Sequence, residues 1–284
     1  FVSSDSWVIL SPIEQSIKQK IEAVGTPLKD WDIQINYGIK TGFNDAFIIN
    51  TEKRDEILAN CQTEDERNRT AELIRPILRG RDIKRYEYEW ADLWIIATFP
   101  SRHYDIESYP AVKNYLLSIG IERLEQTGET HIVNGKKIKA RKKTSNEWFE
   151  TQDSISYWED FSKPKIVWGN LNLTASYAMV QDNSFINAPS PVIVPASKFL
   201  LAVLNSKLAD YYIRQLGVTR NGGYFEYKPM FVEKLPVPQN ADTKAVTDIE
   251  SYVDSKNETA IDKAVYMLYG LTEEETLYID KKGR

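Results

Sequence analysis

FLLAVLNSKLADYYIRQLGVTRNGGYFEYKPMFVEKLPVP, residues 199–238, holds in one stretch a helix, a glycine turn, a strand and a proline stop. Phe199, Leu200, Val203, Leu204, Leu208, Tyr211 and Tyr212 recur at helical spacing, which predicts one helix from Phe199 to Leu216 with that face buried. Gly217 ends it, Asn221-Gly222-Gly223 turns the chain into YFEY, and PVP at 236–238 marks a boundary.

Upstream, KPKIVWGNL (163–171), SYAMV (176–180), PVIV (191–194) and DLWIIATF (92–99) are apolar enough to be core strands. Trp31, Ile33 and Ile35 alternate with polar residues and predict another strand. GIKTGFNDAFIIN (38–50) is a glycine-flanked turn leading into a strand over Ala46–Ile49. Helices are expected over Thr51–Asn60, over Glu64–Leu73, and after Pro110 up to Gly120. An earlier helix starts at Ser11-Pro12, a capping serine before a first-turn proline, with Ile13, Ile17, Ile21 and Val24 on one face. Beyond the PVP boundary, Thr243–Asn257, Thr259–Tyr269 and Thr272–Ile279 predict polar helices. Strands and helices intermix without regular βαβ alternation, so the expected fold is mixed α+β with a helical tail. The segments are a linker helix over 1–30, a main domain over 31–238 and a tail over 239–284. Trp94, Trp148 and Trp168 are expected in the core.

Of the 284 residues, 42% are apolar and 27% charged, a composition too apolar for disorder. No apolar run reaches the roughly 18 residues of a membrane span. The opening FVSSDSWVIL lacks a basic n-region and a Met, which suggests a segment of a longer polypeptide. The single Cys61 excludes internal disulfides and multi-cysteine zinc sites, and fits a reducing cytoplasm. His103 and His131 lie outside any metal-ligand spacing and read as ordinary, partly exposed residues.

The net charge of −5 hides its distribution. Residues 241–284 carry −4, whereas residues 128–145 carry +5, from Lys136, Lys137, Lys139, Arg141, Lys142 and Lys143 against Glu129. Asn134-Gly135 between THIV and KKIK is a strong signal for a type I′ hairpin. Residues 130–139 therefore predict a two-stranded basic ribbon, a shape that fits a DNA major groove about 12 Å wide. Arg79-Gly80-Arg81 with Lys84-Arg85 forms a second basic cluster, and Arg214 with Arg220 a third. Aromatics beside cations, as in Arg85-Tyr86, Arg102-His103-Tyr104 and Tyr224-Phe225, suit phosphate and base contacts.

Catalytic motifs are missing. No G-x-G-x-x-G follows a predicted strand, and H-E-x-x-H and G-x-S-x-G are absent. Asn187-Ala188-Pro189-Ser190 lacks the aromatic that would stack on an extruded base, so it reads as a plain loop. An alternative reading is a Mg²⁺-dependent nuclease, with Asp210 and Glu226 holding the metal and Lys228 steadying the attacking water.

Several segments, in order, resemble one family. GIKTGFNDAFII (38–49), LIRPILRGRDIKRY (73–86), LWIIATFP (93–100) and YPAVKNYL (109–116) come first. RKKTSNEWFETQD (141–153), KPKIVWGN (163–170), FLLAVLNSKLADYYIRQ (199–215) and YFEYKPMFVEKLPVP (224–238) follow. Together they are similar to the TaqI-like C-terminal specificity domain, the target-recognition module of adenine-specific DNA methyltransferases and type IIG restriction–modification enzymes. The resemblance covers about 31–238, with AVYMLYGLTEEE in the tail also similar, and it extends to type I specificity-subunit domains. It implies a non-catalytic module that binds double-stranded DNA. An upstream methyltransferase domain with an S-adenosylmethionine site would precede it, and a Mg²⁺-dependent nuclease if one is fused.

On that footing Lys136, Lys137, Lys139, Arg141, Lys142 and Lys143, with Arg79 and Arg81, are expected to hold phosphates. Lys40, Thr41 and Asn44 on the first glycine turn, with Arg220 and Asn221 on the second, are the candidate base readers. The ribbon and both glycine corners are expected to converge on one wall shaped for a double helix.

Overall fold

Ile166 and Val167 are neighbours in one strand yet point into different cores, and this alternation organises the molecule. The computed structural model describes residues 10–282, so the opening of segment 1–30 and the end of the tail lie outside the described residues. Lys165–Trp168 runs inside an antiparallel sheet in the order 177–180, 165–168, 191–194, 34–37. Ile166, Trp168, Tyr177 and Ile193 face a layer of helices, whereas Val167, Ala178, Val192 and Val194 face a second sheet. That second sheet has the order 185–186, 74–78, 93–96, 48–50 and is mixed, its first pair being parallel. Ile77, Leu78 and Ile95 close the space between the sheets. On the far face Ile49, Ile74 and Ile96 pack against helices Thr51–Ala59, Glu64–Leu73 and Pro110–Ile119. The result is helix, sheet, sheet, helix, the mixed α+β fold that the sequence predicts.

The first helix and the tail belong to one layer. Helix Pro12–Val24 opens where the backbone N–H and hydroxyl of Ser11 donate to the Glu14 carboxylate at 2.8 and 2.9 Å. Ile17 and Ile21 are fully buried in the core that Ile166 enters. Helices Thr243–Asp254, Glu258–Leu268 and Glu273–Lys282 add Ile249, Ile261, Val265 and Ile279 to that same core. Across it, Ser16 Oγ donates to Glu275 at 2.6 Å, and Lys20 Nζ pairs with Glu275 at 2.7 Å.

Three local expectations change. The stretch 199–216 is two helices, Lys198–Asn205 and Lys207–Arg214, with Ser206 extended between them. Ser206 Oγ accepts from the Ala209 N–H at 3.2 Å and so caps a new start. The Asn205 amide beside it makes two 2.9 Å bonds to the backbone of Tyr177, which the break allows. In place of a strand over Ala46–Ile49, Asn44–Phe47 is a helical turn and Ile48–Asn50 the strand. Trp168 is fully buried as expected, but Trp94 and Trp148 are only partly so. Trp94 keeps one edge near solvent because its Nε1 donates to Thr51 at 2.7 Å. Among the described residues no helix is long and apolar enough to cross a membrane.

Candidate nucleic-acid interface

The ribbon forms as expected. Thr130–Val133 pairs with Lys136–Lys139, and the turn residues Asn134 and Gly135 both have positive φ, at 49° and 76°. Lys136, Lys137, Lys139, Lys142 and Lys143 are all exposed. None of their ammonium groups lies within 4.0 Å of a carboxylate among the described residues. Five uncompensated cations in eight residues create a field suited to a polyanion.

Arg141 is not part of that set. It is 2% exposed, and its guanidinium donates to the carbonyls of Leu124, Thr41, Glu150 and Trp148 at 2.7–2.8 Å. Burial, with Arg123 nearby, lowers its pKa to about 10. A run of basic residues looks uniform in sequence, yet this one turns inward because four backbone carbonyls need a donor. It roots the ribbon, and the lysines alone remain exposed. Arg123, unsuspected in the sequence, secures the other side: its Nη1 donates to the Lys139 carbonyl at 2.9 Å and its guanidinium lies 3.9 Å from the Phe43 ring centroid.

These contacts join the ribbon to the first glycine corner. Lys40 and Asn44 are exposed there, whereas Thr41 is fully buried. The Thr41 hydroxyl donates to Asn44 Oδ1 at 2.7 Å and accepts from the Phe43 N–H at 3.1 Å, so Thr41 holds the corner and reads nothing. Asn44 keeps its amide N–H groups for a partner. Gly42 has φ of 80°, and a Cβ there would stand 2.9 Å from Gln152 Oε1 and 3.1 Å from Arg141 Cδ. Asn187 and Ala188 line a shallow cleft with Lys40, Phe43 and Asn44, and the buried Asn187 Nδ2 has no partner. The Asn187–Ser190 loop is thus structural glue at one end and an orphan donor at the other: Gly38 N donates to the Ser190 carbonyl at 2.7 Å.

From this corner the strand ends form a continuous border. Tyr37, Trp168, Leu78 and Ile186 all end their strands on this side. Gly80 follows, so close that a Cβ would stand 2.8 Å from Ser190 Oγ, and a Cβ on Gly169 would stand 3.0 Å from the Gly80 carbonyl. Asn172, beyond Gly169, pairs with Phe225 below the second corner at 220–224. Arg220 and Asn221 are exposed on that corner. Arg220 Nη2 lies 3.2 Å from Glu226, so one carboxylate already compensates it. Arg79 is held more completely and leaves the phosphate set: its Nε and Nη2 meet the buried Asp82 at 3.0 and 2.8 Å in a two-pronged pair, whereas Arg220 keeps one prong exposed. Arg81 stays exposed with no carboxylate within 4.0 Å among the described residues.

The nuclease alternative fails on geometry. Asp210 is buried, accepting from the Tyr227 hydroxyl, the Ala175 N–H and Arg214 Nε. Glu226 is instead paired with Lys228 at 2.6 Å on the surface. Asp210 and Glu226 therefore serve different partners. Among the described residues no group of three or more His, Cys, Asp or Glu side chains gathers as a metal site.

With this arrangement in place, the comparisons are direct. The model of the TaqI-like C-terminal specificity domain matches residues 75–237, more than half of the chain. The chain belongs to this family. As a TaqI-like specificity domain it is a module of restriction–modification enzymes. Type II methyltransferase M.XhoI of Xanthomonas vasicola is 21% identical over 280 residues, covering 96% of this chain and 46% of its own length. Type II methyltransferase M.PaeR7I of Pseudomonas aeruginosa is 20% identical, covering 99% and 46%. The chain thus spans less than half the length of these relatives. In fold it is similar to the type IIL restriction–modification enzyme MmeI, solved in complex with DNA (TM-score 0.60, 13% identity, 91% of this chain and 36% of that one). It is also similar to the type IIG restriction endonuclease BpuSI (TM-score 0.53, 14% identity, 95% and 33%).

Proposed function

We propose that this domain binds double-stranded DNA along the border of strand ends and reads base edges there. The target adenine is then presented to a methyltransferase domain of the same polypeptide for N6-methylation. The observation that carries this reading is the joining of the lysine ribbon to the first glycine corner. Lys136, Lys137, Lys139, Lys142, Lys143 and Arg81 would neutralise phosphates and set register. Lys40, Asn44, Arg220 and Asn221 would approach base edges, with Arg favouring guanine and Asn adenine. The MmeI structure with DNA supports the same reading by analogy of fold.

We assign no S-adenosylmethionine to the glycine turn of this chain. The glycine turn that follows a strand, at 38–42, is filled from within by Thr41, Gln152 and Arg141. We place that cofactor, and Mg²⁺ if a nuclease is fused, on other parts of the intact polypeptide.

The deciding measurement is the salt dependence of duplex binding by the intact polypeptide. Replacing Lys136, Lys137 and Lys139 by Ala should reduce the slope of log affinity against log salt by about two to three. An unchanged slope removes the ribbon from the interface.

A further inference from the structure

The second sheet has another end, opposite the border just described, and a cleft of about 260 Å³ opens there. Arg75 at the start of strand 74–78, Phe185 at the start of 185–186 and Phe99 after 93–96 place it. Arg69, Arg75 and Arg102 line it beside Tyr104, Tyr109 and Trp158, with Glu72 the only carboxylate of the lining. None of the three guanidinium groups lies within 4.0 Å of a carboxylate among the described residues. Arg69 is steadied by the Ser108 carbonyl at 3.2 Å, and Arg75 by the Asn183 carbonyl at 3.4 Å and the Phe185 ring, 5.7 Å from its centroid.

Arginines in this state are normally dispersed over a surface, where water solvates them. Here two of the three, Arg75 and Arg102, lie against rings. The Arg102 guanidinium lies 3.9 Å from the Trp158 centroid and 5.7 Å from that of Tyr104. His103, next in sequence, takes the left-handed conformation (φ 50°, ψ 49°) that turns the chain so both rings meet Arg102. A guanidinium held on a ring is ordered before any anion arrives, and its planar fork suits phosphate oxygens. Tyr104 and Tyr109 pack edge to face at 5.8 Å and leave ring surface toward the cleft. Net positive charge, free forks and flat aromatic walls together match an anion attached to a planar ring.

We propose that this cleft binds a single nucleotide unit, its phosphate held by Arg69, Arg75 and Arg102 and its base against the Trp158 and tyrosine side. The ligand is either a free mononucleotide or an unpaired nucleotide of a DNA strand. The cleft lies at the other strand ends from the duplex border, so the proposal stands apart from the function above.

Calorimetric titration of the full chain with deoxyadenosine monophosphate tests it, paralleled by NMR of the Trp158 indole. Saturable binding in the millimolar range or tighter is expected, with the Trp158 resonance shifting. Arg102→Ala and, separately, Arg69→Gln should each weaken it about tenfold. Inorganic phosphate alone and deoxyadenosine alone should bind about tenfold more weakly than the joined ligand. A short single-stranded oligonucleotide that binds far tighter than the monophosphate assigns the site to unpaired DNA. Equal affinity assigns it to the free nucleotide. Absence of saturable binding by both overturns the proposal, as does binding that Arg102→Ala and Arg69→Gln leave unchanged. The Lys136, Lys137 and Lys139 replacement should leave this binding intact, so the two sites fail or succeed separately.

Discussion

Arg141 Nη1 donates to the backbone carbonyl of Thr41 at 2.8 Å, linking the root of the basic ribbon to the first glycine corner across 100 residues of sequence. The bond makes the two elements one unit. An exposed hairpin of two short strands is marginal by itself, so its direction relative to the corner depends on this root. Phosphate contacts made by the ribbon can set the register of the corner only if that geometry is rigid.

Arg141→Ala should therefore behave as a core mutation. Four carbonyls lose their donor together, and a loss of about 3 kcal/mol or more in unfolding free energy is expected. Lys142→Ala, one residue on, should stay within about 0.5 kcal/mol. Denaturant midpoints of the two variants measured side by side decide it; equal midpoints would show that Arg141 does not root the ribbon.

Asp210 and Glu226 should separate in the same way. Asp210→Ala leaves the Tyr227 hydroxyl and the Ala175 N–H buried without an acceptor, and about 3 kcal/mol of stability should go with them. Burial and the adjacent Asp210 carboxylate already push the Tyr227 phenol far above its usual range, so it remains a donor throughout. Glu226→Ala removes only exposed pairs and should shift Tm little. A larger loss from Glu226→Ala than from Asp210→Ala would contradict the burial described here.

The two ends of the chain meet at Glu275, and that contact predicts an acid limb. Burial alone would raise its pKa, but hydrogen bonds from Lys20, Ser16 and Thr272 outweigh it and hold the group at about 2, against an ordinary 4.5. A carboxyl lowered in the folded state stabilises fully above the unfolded value, and that contribution fades as pH falls toward about 2. Glu275→Gln should lower stability at pH 7 by on the order of 2 kcal/mol and flatten the dependence between these limits. Chemical denaturation at a series of pH values reads both; parallel curves for the two proteins would refute the assignment.

The proposed base readers should show themselves as changes in preference. In the intact polypeptide, Asn44→Ala and Arg220→Ala should each relax discrimination at a separate base pair by about 1–3 kcal/mol. Asn44→Ala should leave the salt slope unchanged, because it removes no charge. Binding measured across a set of single-base-substituted duplexes checks both. A uniform loss over all duplexes would mean that these residues only position the backbone.

What could be seen in the chain before folding was whatever short-range chemistry dictates. Asn134-Gly135 announced the ribbon because only a turn with two positive φ angles joins its strands. Glu64–Leu73 and Thr243 onward announced helices, and Val167 and Ile193 announced strands through uninterrupted apolarity. The apolar period across 199–216 predicts one unbroken helix and so concealed the break at Ser206.

Local pattern thus gave away most of the elements, and the order of several such segments gave away the family. Tertiary structure alone settled which cations are free. Arg141, Arg79 and Arg220 are indistinguishable in sequence from Lys137 or Arg102. They differ because the folded chain brings Asp82 onto Arg79 and Glu226 onto Arg220, and carries the Thr41 carbonyl to Arg141 from 100 residues away. The electrostatic state of a side chain is a property of its neighbours in space, and for this domain those neighbours lie up to 100 residues away.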